Sequence, residues 1–78
     1  MNRDIISLTS LPINQKGIIE NLTCDGEIRR RLLDLGLVSG SSITPVLSSP
    51  SGGLRAFDIR GSLIAIRDED AYSIFVSL

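Results

Sequence analysis

The 78-residue chain has no histidine and no tryptophan, one cysteine, two phenylalanines and one tyrosine. The lack of histidine removes the side chain that most often serves as general base or metal ligand near neutral pH. It also leaves Cys24 without an imidazole to activate it as a nucleophile. A single cysteine cannot close an internal disulfide, so nothing points to an oxidising compartment. There is no basic surplus either: eight Lys and Arg side chains face nine Asp and Glu, a formal net charge of −1. That balance weakens a nucleic-acid reading, which relies on cationic side chains to displace counterions from phosphates. Long apolar runs are missing too. Leu63-Ile64-Ala65-Ile66 is far too short to span a bilayer, and the opening Met1-Asn2-Arg3-Asp4 does not lead into a signal-peptide core. The expectation is a soluble, cytoplasmic chain whose membrane role, if it has one, runs through a partner. With no glycine-rich phosphate loop and no nucleophile–base pair, no enzyme activity is expected.

What the chain does contain is aliphatic residues and glycine. Hydrophobic residues make up 42% of the sequence, enough for one small domain over residues 1–78 with a core of Leu, Ile and Val. Closely spaced glycines punctuate short β-like runs, the pattern of strands joined by tight turns. These runs are Ile5–Leu8, Gly17–Leu22, Ser42–Leu47, Leu54–Arg60, Ser62–Arg67 and Ser73–Leu78. Ile18-Ile19 breaks strict alternation and predicts a bulge. Pro45 places its strand at an edge or on a bulge, because proline cannot donate to a ladder. Ser48–Gly53 reads as a loop, and Asp68–Ala71 as a single helical turn. One longer helix is expected at Glu27–Leu35, with Ile28, Leu32 and Leu35 forming its apolar side. Asp25 stands at its N-cap, and Gly36 follows in a left-handed conformation with Leu37 folding back onto the last turn. The pattern predicts an all-β fold with one short helix, a small barrel.

The segment Arg31-Leu32-Leu33-Asp34-Leu35-Gly36-Leu37-Val38-Ser39-Gly40 resembles the RL-x-x-LGL-x-x-G signature of the FeoA family of ferrous iron transport proteins. Gly61-Ser62-Leu63-Ile64-Ala65-Ile66-Arg67, with Ala71, Ile74 and Val76 after it, is similar to the ending of that family. Leu8-Thr9-Ser10-Leu11-Pro12 with Gly17 is similar to its start. Pro45 and the Ser-rich segment 48–53 depart from the family pattern. The resemblance implies an SH3-like barrel, similar to the C-terminal domain of DtxR-type metal-dependent repressors. It also implies an accessory role beside FeoB, the membrane iron transporter with a cytosolic GTPase part, and weak association with a transition metal such as iron. The alternatives are an SH3-like nucleic-acid-binding domain or a metal-sensing regulatory domain. Weak self-association is also compatible with so small a module.

Read residue by residue, no tight metal site is expected. A site here would need carboxylates, with or without Cys24, but Asp68, Glu69 and Asp70 are adjacent and cannot all converge on one ion. Acidic residues at 25, 27 and 68–70 are explained as well by the favourable positive ends of helices. Arg29, Arg30 and Arg31 fan over about 200° of a helical wheel and form no single basic face. Arg30 and Asp34 stand at the i,i+4 spacing of an ion pair. Leu33 falls between Arg29 and Arg30, away from the apolar stripe. Either the barrel wraps round to cover it, or it is an exposed leucine rimmed by arginines, the form of a partner-contact patch. Arg29, Arg30 and Leu33 are the candidate partner-binding residues, and no catalytic residue is expected.

Overall fold

In the computed structural model, which describes residues 4–78, six strands and two helices follow one another along the chain. They are β1 (Ile5–Ser7), β2 (Gly17–Leu22), α1 (Gly26–Asp34), β3 (Ser42–Ser48), β4 (Leu54–Ile59), β5 (Ser62–Arg67), α2 (Asp68–Ala71) and β6 (Ile74–Ser77). The opening residues Met1–Arg3 lie outside the described part. All pairings are antiparallel, in the order β1-β6-β2-β3-β4-β5. Two register shifts bend the sheet round its core. One falls in β2 between Ile19 and Asn21, the other in β3 between Pro45 and Leu47. An extra residue on one strand raises the local twist, and this lets a single sheet curl into a barrel-like shell.

Pro45 is fully buried on β3, between β2 and β4. The bulge option holds, and since the β2 ladder stops at Ile43, Pro45 pairs with a strand on its β4 side only. The carbonyl of Pro45 accepts a bond from the Asn14 amide at 2.7 Å, so the bulge also anchors the loop after β1. The first strand is shorter than predicted: at Leu8 the chain enters a 3-10 turn over Leu8–Ser10. That turn drops Leu8 and Leu11 into the core, both with no exposed surface. Around them pack Ile19, Ile43, Phe57 and Val76, drawn from four different strands.

Helix α1 ends as its sequence predicts. Gly36 has φ +104°, its amide bonds to the Leu33 carbonyl at 3.0 Å, and the Leu37 amide bonds to the Leu32 carbonyl at 3.1 Å. This pair is a Schellman motif, which needs a residue free of the Cβ penalty at the glycine position. Asp25 is the N-cap residue in extended conformation, but its side chain makes no capping bond. The predicted apolar stripe is corrected. Leu32 is 2% exposed, whereas Ile28 is 43% and Leu35 40% exposed. The helix leans on the sheet along one line of contact, leaving the flanks of the stripe uncovered.

Candidate functional site

The candidate site lies on α1. Leu33 is half-buried, neither covered by the sheet nor fully exposed. With Gly26, Glu27, Arg29, Arg30 and Asp34 it lines a shallow depression of about 510 Å³. The three residues singled out from sequence thus do come together on one surface. Their roles differ, however. Arg29 donates from Nη1 to the Leu22 carbonyl at 2.9 Å, tying the helix to the end of β2. Arg30 is exposed at the rim. Arg31 turns the other way, to Asp70 Oδ2 at 3.4 Å, so the ion pair of α1 crosses to α2. The three arginines diverge, as consecutive helical positions must.

On its opposite flank α1 faces β5 across a second and larger depression, about 590 Å³. Its walls include Ile28 and Leu35 from the helix and Leu54 and Ile64 from the sheet. Sequence reasoning assigned Ile28 and Leu35 to the core and so missed this groove. The signal that could have found it is the width of the stripe, which is broader than one line of contact on a small sheet can bury.

Among the described residues, no group of three or more Cys, Asp or Glu side chains is placed to hold a metal ion. Asp70 faces Arg31, Glu69 faces Arg67 at 3.6 Å, and Cys24 is half-buried against the core. No helix among the described residues is long and apolar enough to cross a membrane.

A six-stranded antiparallel sheet, bent by two bulges round an apolar core and carrying one nine-residue helix and a second, single-turn helix, defines a small SH3-like β domain. Within that class the chain belongs to the FeoA family, whose FeoA domain matches residues 6–78. A protein of Campylobacter jejuni, described as a candidate Fe(2+) transport protein A, is 29% identical over 73 residues, covering 94% of this chain and 99% of the relative. FeoA of Stenotrophomonas maltophilia, crystallised with zinc and described as a prokaryotic SH3 domain protein, superposes with a TM-score of 0.80 at 25% identity. That match covers 91% of this chain and 88% of the other. A manganese-dependent transcriptional repressor shares the fold alone, with a TM-score of 0.86 at 16% identity, over all of this chain and 44% of the repressor.

Proposed function

We propose that this chain is a non-enzymatic accessory protein of ferrous iron uptake that binds the cytosolic GTPase part of a FeoB-like membrane transporter. The observation that carries this reading is the FeoA match across residues 6–78, supported by the C. jejuni relative. The α1 depression supplies the contact surface: an apolar floor at Leu33, one free arginine at Arg30 and a second, Arg29, held in place by its bond to β2. A partly apolar centre with a charged rim, here Arg29 and Arg30 beside Glu27 and Asp34, is an anatomy that suits a protein–protein contact. The protein acts in the cytoplasm, where the GTPase part of such a transporter lies. Iron is cargo of the system, and any association of this chain with a transition metal is weak.

The test contrasts neighbours. Leu33→Asp places a charge on the floor that a partner must desolvate, and should weaken binding by about 2 kcal/mol or more. It should fold, because Leu33 is only half-buried. Leu32→Asp buries an unpaired carboxylate and should unfold the domain. Thermal midpoints of both variants, and calorimetric affinity of the folded one for the transporter's cytosolic part, decide the matter. Normal binding by folded Leu33→Asp removes α1 as the contact surface.

A further inference from the structure

Strand β5 is an edge of the sheet, and its backbone phase can be read from the register. The β4–β5 hairpin turns through Arg60 and Gly61, at φ 53° and 84°. Two positive values mark a type I′ turn, which makes Ile59 and Ser62 a hydrogen-bonded pair. Such pairs alternate along the ladder, so Ser62, Ile64 and Ile66 bond to β4. Leu63 and Ala65 then aim N–H and C=O away from the sheet, and Arg67 its N–H, while the Arg67 carbonyl caps the start of α2. The far end has the same phase: the Asp68 amide bonds to the Gly53 carbonyl at 2.9 Å, the bond that flanks a non-bonded Leu54–Arg67 pair.

This edge borders the larger groove. Ile64, Ala65, Ile66 and Arg67 are consecutive, yet all four line it. Side chains of a strand alternate between faces, so residues of both faces share a cavity only where the strand's edge borders it. Edge strands are ordinarily blunted by a charge, a proline or a bulge. From Leu63 to Ile66 there is no charged residue and no proline, and the β4–β5 register runs without a shift. The charges at the rim are engaged with one another, Arg31 with Asp70 and Arg67 with Glu69. What remains, among the described residues, is a short row of peptide groups outside the β4–β5 ladder between apolar walls, complementary to an uncharged, extended chain with apolar residues at alternate positions. The opposite wall is α1, which contributes Ile28 and Leu35.

We propose that the free edge of β5 and the flank of α1 together form a docking groove for one extended, uncharged segment of a partner protein, added to the sheet as a further strand. The groove is separate from the Leu33 depression and does not depend on the iron-transport reading. The probe is a phage-displayed library of random linear peptides, selected on the intact protein, with the enriched sequence synthesised and titrated into isotope-labelled protein. The expected result is enrichment of uncharged sequences with alternating apolar residues. Bound peptide should slow amide exchange at Leu63, Ala65 and Arg67, while Ser62, Ile64 and Ile66 change little because they are already bonded. Ile28→Glu, an exposed wall position, should weaken peptide binding about tenfold or more, and Leu33→Asp should leave it unchanged. If Ile28→Glu does not fold, Leu54→Lys on the facing wall, 39% exposed, gives the same readout. The proposal is overturned if no peptide is enriched above an unrelated immobilised protein. It is equally overturned if bound peptide leaves those three amides unprotected, or if the wall variants bind normally. No transporter enters this experiment, so its failure leaves the iron-uptake reading standing.

Discussion

At Gly36 one backbone angle ends the helix and turns the chain towards β3. Its φ of +104° lies where an L side chain is strained, and the methyl of Ile59 stands 3.6 Å from the position a Cβ would occupy. Gly36→Val should therefore lower stability by about 2 kcal/mol, from backbone strain rather than lost contact. Urea denaturation should show the midpoint falling with an unchanged slope. Ser77 illustrates a different economy. It is 1% exposed, and its hydroxyl donates to Glu20 Oε2 at 2.7 Å. Ser77→Ala removes that donor and should cost about 1–3 kcal/mol, as breaking a part-buried bond to a charged group does.

The β4–β5 hairpin shows how an element tolerates a residue poorly suited to its turn. Arg60 occupies a left-handed conformation at φ 53°, supported by the Gly61 amide bonding to Asp58 Oδ1 at 3.0 Å. Asparagine adopts that conformation more readily, and Asn-Gly is the preferred type I′ pair. Arg60→Asn should raise the thermal midpoint measurably, by up to about 1 kcal/mol of stability. Had the turn been of another type, asparagine would bring no gain. The ion pair between α1 and α2 should behave in the opposite way. Arg31 is 66% exposed at its side chain, so solvent screens the pair and Arg31→Ala should change stability by less than about 1 kcal/mol. The short helix is held by Leu32, its C-terminal motif and the bond from Arg29 to the Leu22 carbonyl, not by this ion pair.

For the molecule as a whole, Phe57 is the largest of the fully buried side chains, on the strand that pairs with both β3 and β5. Phe57→Ala leaves a cavity that a shell this small cannot close, at a cost of about 3–5 kcal/mol. Against a total of about 5–15 kcal/mol for an ordinary domain, the variant should be largely unfolded at moderate urea. Fluorescence and circular dichroism should report one coincident transition if the bent sheet is a single cooperative unit.

Most of the architecture was legible in the chain itself. The bounds of β2, β5 and the turn Asp68–Ala71, the bulges in β2 and β3 and the left-handed Gly36 follow from local rules. Glycine, proline and alternating aliphatic residues restrict the backbone wherever they stand, whatever surrounds them. The family motif was legible for the same reason, being built mostly of those residues. Burial on α1 was not. Ile28, Leu32 and Leu35 have equal claims to the core by periodicity, and only the curvature of the sheet decides that Leu32 is covered while its neighbours line a groove. Likewise, nothing local distinguishes β5 from an interior strand, because Leu63-Ile64-Ala65-Ile66 is apolar throughout. Its place at the edge is a property of strand order, set by which segments distant in sequence meet across the barrel. The sequence determined the elements and their ends through backbone preference; the tertiary structure alone decided which apolar surfaces were left without a neighbour, because exposure depends on what packs against a residue and not on the residue itself.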